Sequence, residues 1–170
     1  MDLNFTDQEL YDGGIFIMLA GPPGSGKTQF ARNIVRDYMN FEIVCPDDIR
    51  KGIYGDDYSE SDSQVVYDKV YSVIDLYLAD HYNIVYDASN CRPSYRRKMI
   101  DFLKTKDSIS KLICVVFLTP VGKCLDNSHK RPEHLRIPDS VIENMWFSFK
   151  KHSPTILEGY DAIFNSKGLH

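Results

Sequence analysis

The stretch with the clearest chemical meaning is an eight-residue turn that matches the pattern G-x-x-x-x-G-K-[ST]. An apolar run, residues 15–20, precedes the turn, and a helix-like stretch, residues 29–38, follows it. Glycines let the backbone curl so that successive N–H groups point inward, and a helix N-terminus adds further free N–H donors. This order of strand, turn and helix is typical of a site that holds a polyphosphate. The turn, called the phosphate loop below, consists of Gly21, Pro22, Pro23, Gly24, Ser25, Gly26, Lys27 and Thr28.

Two side chains of the phosphate loop have specific roles in such a site. Lys27 is expected to reach the β- and γ-phosphates of a nucleoside triphosphate, and the Thr28 hydroxyl is expected to bind Mg²⁺. Gln29 follows directly and completes the predicted nucleotide-binding stretch. A glycine-rich turn with a chance lysine is the alternative, but the flanking strand and helix favour a protein that binds ATP and Mg²⁺.

Two carboxylates and an arginine follow the second predicted strand, residues 41–44. Asp47 and Asp48 come a few residues after its end, and Arg50 lies three residues beyond Asp47. A carboxylate near a γ-phosphate can accept the proton of an attacking hydroxyl, and a guanidinium can hold a phosphate through two hydrogen bonds. The alternative is a solvated acidic helix cap with an exposed arginine.

Asp87 directly follows a third apolar strand, residues 83–86. Four apolar residues followed by Asp form the Walker B pattern, in which the carboxylate binds Mg²⁺ through water or orients a neighbouring arginine. We therefore predict Thr28 and Asp87 as metal-binding residues. The alternative role for Asp87 is to cap the loop that follows it.

A basic cluster lies between two predicted helices and contains His129, Lys130, Arg131 and Arg136. Phosphoryl transfer spreads negative charge over the equatorial oxygens, and a basic lid that closes over them stabilises this charge and excludes water. A solvated basic loop is the alternative. Because the chain is acidic as a whole, a local basic cluster favours the lid.

The elements that must position these residues alternate between strands and helices along the chain. The alternation predicts an α/β fold with a mostly parallel sheet of about five strands and helices on both faces. In such a sheet the ligand lies beyond the carboxyl ends of the strands, so Thr119 should join the acidic groups around the phosphate loop. We predict a loosely held N-terminal arm over residues 1–14 and a single domain over residues 15–170.

The composition limits the partners of the protein. A net charge of −4 over 170 residues argues against extended binding to a duplex, but allows a small phosphorylated substrate or a strand end. The longest apolar run is too short to cross a bilayer, and the N-terminus lacks a basic signal-peptide region. These features predict a cytoplasmic protein with no membrane partner. The 4 cysteines contain no C-x-x-C pair, which disfavours a zinc site or a disulfide framework.

Because its motifs follow one another in this order, the stretch of residues 15–163 resembles the polynucleotide 5′-hydroxyl kinase family, the phage-type enzymes within the P-loop kinases. The phosphate loop is similar to that of the family, and residues 47–50 are similar to its Asp-Asp-x-Arg element. Residues 127–131 resemble its Asn-Ser-Lys-Arg lid. The resemblance implies that Asp47 is the general base, that Arg50 clamps the acceptor phosphate and that Arg131 is the catalytic arginine of the lid.

The lid departs from the family pattern at two positions. Asp126 stands where the family usually has an arginine, and one extra residue separates Asn127 from Arg131. Lys130 is therefore the alternative residue at the catalytic position of the lid, and we count it among the predicted nucleotide-binding residues.

The resemblance implies a P-loop kinase domain that transfers a phosphoryl group from ATP, with Mg²⁺, to a hydroxyl. The predicted partners are a nucleotide donor and, as acceptor, a nucleic-acid 5′ end or a nucleotide; the oligomeric state stays open. A kinase of free nucleotides or of another small metabolite is the close alternative. A nucleotide-dependent switch or ATPase is less favoured, because it would give Asp47 and Arg50 no purpose.

Overall fold

The computed structural model of the protein describes residues 3–55 and 62–168. Its strands are β1 Ile15–Ala20, β2 Phe41–Val44, β3 Asn83–Tyr86, β4 Lys111–Val116 and β5 Ala162–Asn165. Its α-helices are α1 Asp7–Asp12, α2 Lys27–Asp37, α3 Pro46–Tyr54, α4 Ser63–Ala79, α5 Pro93–Leu103, α6 Val121–His129 and α7 Asp139–Lys151. Within the described ranges, no helix combines the length and apolar character needed to cross a membrane.

The strands form one parallel sheet in the order β2-β3-β1-β4-β5. β1 is the central strand, where Phe16 pairs with Ile84 of β3 on one side and with Leu112 of β4 on the other. The predicted α/β fold, with a parallel sheet of about five strands in a single P-loop kinase domain, is confirmed.

The side chains of β1 alternate between two hydrophobic cores. Phe16 and Met18 pack in a core with residues of α4, α5 and α7, whereas Ile17 and Leu19 pack in a core with residues of α1 and α2. Because helices cover both faces, the strand is buried throughout and its sequence is continuously apolar. The phosphate loop therefore begins at the carboxyl end of the central strand, β1.

The N-terminal residues are packed against the sheet, which differs from the expected loosely held arm. Leu3 and Leu10 are buried in the core beside α2. Thr6 caps α1 in a reciprocal capping box with Glu9, and the Glu9 carboxylate pairs with Lys111 Nζ at 2.5 Å. These interactions lower the pKa of Glu9 to about 2, with the hydrogen bond from Lys111 as the largest cause.

The helix after β2 is longer than the sequence suggested. The turn signal at residues 55–57 predicts a loop over residues 52–59. In the structure α3 continues to Tyr54, and Gly55 ends it with a φ of +76°. Residues 56–59 lie outside the described residues. Asp47 and Asp48 consequently stand in the first turn of a helix, where the helix dipole favours carboxylates.

A buried arginine on α5 ties the loop after β3 to the C-terminal part of the chain. The Arg96 side chain is 1% exposed, and its Nε and Nη2 atoms donate to the Glu158 carboxylate at 2.6 and 2.8 Å. Its remaining hydrogen bonds go to the carbonyl oxygens of Asn90, Cys91 and His152. A guanidinium is tolerated in such surroundings because its N–H groups are satisfied.

Replacing this arginine should strongly destabilise the protein. Arg96→Met leaves Glu158 and three carbonyl oxygens without their donors, and should lower the free energy of unfolding by about 3 kcal/mol. Urea unfolding followed by circular dichroism measures the loss. The matched control is Arg97→Met at the exposed neighbouring position, which should stay within about 0.5 kcal/mol of wild type. Equal losses in the two variants would contradict this role of Arg96.

Candidate active site

The phosphate loop joins β1 to α2 and wraps around the ammonium group of its own lysine. Lys27 is buried, and its Nζ atom donates to the carbonyl oxygens of Gly21 and Pro22, both at 2.8 Å. The hydroxyl oxygen of Ser25 accepts a longer bond of 3.3 Å from the same atom. Burial lowers the pKa of Lys27, and the nearby charge of Asp87 opposes this shift without cancelling it. A cation held in this way is well placed to bind an anion.

Two glycines of the loop adopt backbone angles that other residues rarely adopt. φ is +77° at Gly24 and +103° at Gly26. A Cβ atom at Gly24 would lie 2.3 Å from the carbonyl oxygen of Cys124, whereas a Cβ atom at Gly26 would have no neighbour within 4 Å. Gly24 is thus required by conformation and by close contact with α6, and Gly26 by conformation alone.

Hydrogen bonds from three other segments fix the backbone of the phosphate loop. They run from Gly21 N to Ser89 O, from Thr119 Oγ1 to Ser25 O and from Asn127 Nδ2 to Gly24 O, each 2.8 Å long. Trp146 on α7 in turn donates its indole N–H to the Thr119 carbonyl at 2.8 Å. The position of Thr119 near the loop was predicted from the strand end. The contacts of Asn127 and Trp146 were missed, because nothing in the local sequence indicates a partner so distant along the chain.

Asp87 lies at the carboxyl end of β3, next to Thr28 and Lys27. It is buried, and the Thr28 hydroxyl donates a hydrogen bond to its carboxylate. Burial raises the pKa of Asp87, and the nearby charges of Asp48 and Asp47 act in the same direction. The hydrogen bond from Thr28 and the charge of Lys27 oppose this shift without cancelling it.

The oxygen atoms of Thr28 and Asp87 fit a Mg²⁺ ion that is shared with a nucleotide. Mg²⁺ is usually held by one or two protein oxygen ligands together with phosphates and water, and not by a cage of protein ligands. Consistent with that arrangement, the described part of the chain contains no group of three or more acidic, His or Cys side chains placed to hold a metal.

Asp47 and Arg50 form an ion pair on α3 at the edge of the same cleft. Arg50 Nη1 donates to Asp47 Oδ1 at 2.5 Å, while the Asp47 side chain remains 84% exposed. The structure therefore presents the Asp47 carboxylate to solvent beside the phosphate loop and uses Arg50 to orient it. Arg50 is not among the described residues that line the cleft, so its predicted contact with an acceptor phosphate stays a prediction.

The basic segment after α6 is folded against the cleft. Arg131 lines the cleft, and its carbonyl oxygen accepts a hydrogen bond of 2.9 Å from Arg136 Nε. Lys130 is exposed and is not one of the cleft-lining residues in the described ranges. This placement favours Arg131 over Lys130 as the residue that faces bound phosphates, although closure of the segment as a lid stays a prediction.

The cleft has a volume of about 230 Å³. The predicted site residues that line it are Pro23, Gly24, Gly26, Lys27, Thr28, Gln29, Asp47, Asp87 and Arg131. Gly21, Pro22 and Ser25 contact the Lys27 ammonium from within the loop.

The two cysteines near the cleft, Cys45 and Cys91, have thiols of low reactivity. Burial raises the pKa of Cys45 to about 12 and that of Cys91 to about 11. Since the thiolate is the reactive form, neither residue is suited to act as a nucleophile at neutral pH. Both are therefore interpreted as small packing residues.

Comparison with known proteins places the cleft in a family context. A family model described as an AAA domain matches residues 16–152. A chain of the Pnkp1/Rnl/Hen1 RNA repair complex is 25% identical, with a TM-score of 0.66 over 86% of this chain and 47% of its own. This protein thus spans less than half the length of that relative. A search of curated protein sequences gives no significant match.

Two further solved structures share the fold at lower identity. A gluconokinase from Sinorhizobium meliloti is 16% identical, with a TM-score of 0.56 over 92% of this chain and 83% of its own. A deoxyadenosine kinase from M. mycoides is 16% identical, with a TM-score of 0.54 over 89% of each chain. The resemblance to polynucleotide 5′-kinases within the P-loop superfamily is supported by the family match and by the RNA repair complex.

The raised pKa of Asp87 predicts how stability depends on pH. The folded state disfavours ionised Asp87, so stability falls as pH rises from the ordinary aspartate pKa, about 3.9, through the raised value of the folded protein. At pH 7, without nucleotide or metal ions, Asp87→Asn should therefore unfold at a higher urea concentration than wild type. The difference should disappear below about pH 4, where the carboxyl group is neutral in both states.

The control for this experiment is Asp80→Asn. Asp80 caps the C-terminal end of α4, shortly before β3 begins, and so lies near the amino end of that strand. Asp80 is exposed, and its replacement should leave the urea midpoint nearly unchanged at both pH values. If Asp87→Asn were less stable than wild type at pH 7, the account of a buried, disfavoured carboxylate would be wrong.

Proposed function

Because the chain belongs to the AAA domain family, as a P-loop kinase domain, we propose that it is an ATP- and Mg²⁺-dependent kinase. The proposed reaction transfers a phosphoryl group to a hydroxyl of a nucleic-acid 5′ end or of a nucleotide. One observation carries the proposal: a single cleft is lined by the phosphate-binding Lys27, the exposed carboxylate of Asp47 and the guanidinium of Arg131. A switch protein would need the first of these and can also use an arginine like the third, but it has no acceptor hydroxyl from which Asp47 would take a proton.

The residues of the cleft account for each requirement of direct transfer. The N–H groups of the phosphate loop and Lys27 hold the β- and γ-phosphates. Thr28 and Asp87 would hold Mg²⁺, which neutralises phosphate charge when bound. Arg131 stabilises the charge that spreads over the oxygens of the transferred group.

Asp47 completes the reaction as the proton acceptor. The acceptor oxygen forms a bond to the γ-phosphorus, the bond from this phosphorus to the β,γ-bridging oxygen breaks, and the hydroxyl proton passes to the Asp47 carboxylate. The products are the phosphorylated acceptor and ADP. The hydrogen bond of 2.5 Å from Arg50 orients the carboxylate. Among the described residues it engages one of the five N–H donors of the guanidinium, and the other donors suit an acceptor phosphate.

The relative from the RNA repair complex supports a nucleic-acid end as the acceptor. The gluconokinase and the deoxyadenosine kinase share only the fold with this chain. A small metabolite or a free nucleotide is therefore the alternative acceptor to a nucleic-acid end. The acidic net charge of −4 favours a short acceptor, because extended binding to a duplex usually relies on a broad basic surface.

The proposal is tested by offering γ-labelled ATP with a panel of acceptors. The panel contains a 5′-hydroxyl oligonucleotide in RNA and DNA form, a nucleoside, a nucleoside monophosphate and gluconate. Label on the oligonucleotide or nucleotide would support the proposal. Label on gluconate alone would assign the chain to the metabolite kinases, and steady release of labelled phosphate with no labelled acceptor would indicate an ATPase.

Replacement of the proposed base should separate catalysis from nucleotide binding. Asp47→Ala should lower the rate of transfer by about 10³-fold, because it removes the proposed proton acceptor, with an unchanged Kd for ATP. Rapid-quench transfer assays and equilibrium binding measure the two effects. If the variant transfers phosphate at the full rate, Asp47 is not the base.

The same assay distinguishes the two basic residues of the lid. Arg131→Ala should slow transfer by about 10³-fold, because it removes a guanidinium that stabilises the transition state. Lys130→Ala is the matched control at the adjacent, exposed position, and should change the rate by less than about threefold. The reverse ranking would move the catalytic role to Lys130.

A further inference from the structure

A second cavity, of about 400 Å³, lies between α4 and α5. Four of the nine residues that line it are tyrosines. Tyr67 and Tyr71 come from α4, Tyr86 from the end of β3 and Tyr95 from α5. We call this the tyrosine cavity. Such a concentration of aromatic rings distinguishes it from the cleft at the phosphate loop, whose described lining contains none.

The tyrosine cavity adjoins the candidate active site. The phenol of Tyr67 is near enough to Asp47 and Arg50 for the charges of both to affect its pKa. The loop after β3 also joins the two spaces, since Ser89 lines the cleft and Asn90 lines the cavity. Tyr67 thus lines the cavity and also lies within electrostatic range of the proposed base and of Arg50.

Two of the rings are fixed by packing, which makes the wall of the cavity rigid. Tyr86 is buried, and its ring centroid lies 5.9 Å from that of Phe16 in the core. Tyr71 packs on Phe102 with ring centroids 4.4 Å apart, and its ring lies 6.4 Å from that of Tyr67. Tyr95, by contrast, is 44% exposed on α5. The cavity thus has a fixed aromatic back and an accessible ring at its rim.

The chemistry of the lining points to a planar, partly polar ligand. Aromatic rings bind the flat faces of nucleobases by stacking, and this binding tolerates any base. Gln64 and Asn90 also line the cavity. Their amide nitrogens already donate to Asp68 Oδ1 and to the Leu19 carbonyl, both at 2.7 Å, so it is their side-chain oxygens that suit the polar edge of a base. A polyol such as a sugar acid offers no flat aromatic face, so it would use little of this surface.

We propose that the tyrosine cavity binds the nucleobase next to the acceptor hydroxyl, which makes this protein selective for acceptors that carry a base. The inference rests on the proposed function, because it gives that reaction its acceptor subsite. One sugar separates a nucleobase from its 5′-hydroxyl, so a base in the tyrosine cavity would bring that hydroxyl toward the adjoining cleft, which Asp47 lines. Tyr67 and Tyr95 are the residues that determine specificity.

The test compares two probes in the absence of ATP, so that it does not depend on catalysis. The first is a 5′-hydroxyl trinucleotide, and the second is the same molecule with an abasic first residue. Isothermal titration calorimetry should show that wild type binds the first probe at least about tenfold more tightly. Tyr95→Leu should weaken the first probe about tenfold and leave the second unchanged, whereas Tyr95→Phe should bind both like wild type.

Tyr11→Leu, which removes an exposed tyrosine of α1, is the control and should bind both probes like wild type. The proposal is overturned if wild type binds the two probes equally, or if Tyr95→Leu weakens both by the same factor. Label transfer from ATP to the same probes is measured in parallel. Selective binding of the first probe without label transfer would reject the kinase function and support the base-binding cavity. Equal binding of the two probes together with equal transfer to both would support the kinase function and reject the base-binding cavity.

Discussion

The structure depends on the burial of one positive charge at the end of the central strand. Lys27 lies inside the phosphate loop and donates to the carbonyl oxygens of Gly21 and Pro22 at 2.8 Å. Carbonyl dipoles satisfy its N–H groups but do not neutralise its charge, so burial lowers its pKa. The loop keeps this conformation because Thr119 and Asn127 hold its backbone from outside. Much of the molecule around the cleft therefore supports a cation that is ready to receive an anion.

A second unfavourable group lies beside the first. Burial raises the pKa of Asp87 and lowers that of Lys27. The charged form of each group is therefore less stable in the folded protein than it would be in water. A bound polyphosphate would bring negative charge to Lys27, and a cation would bring positive charge to Asp87. Such local conflicts are typical of functional sites, where stability of the free protein is lost in favour of binding. The ion pair of Arg96 and Glu158 differs from these two groups, because each of its charges is neutralised by its partner.

The sequence was sufficient for the features that rest on local patterns and on the geometry of parallel sheets. The phosphate loop has a fixed spacing, and the rule that ligands bind at the carboxyl ends of strands placed Asp47 and Asp87 at one cleft. What the sequence did not reveal depends on contacts between distant segments. The burial of Leu3 and Leu10, the bond from Trp146 to Thr119 and the gathering of tyrosines from three elements all belong to this class. No pattern within a single element indicates these partners.

The measurement that tests the central claim most directly is the stability of the protein in the presence of phosphate ligands. If the cleft is built to hold a polyphosphate around Lys27, ATP with Mg²⁺ should raise the unfolding temperature in proportion to the logarithm of its concentration. Adenosine at the same concentration should have little effect, and the effect of ATP should be lost in Lys27→Met. An equal rise with adenosine and ATP, or a full response to ATP in Lys27→Met, would contradict the account.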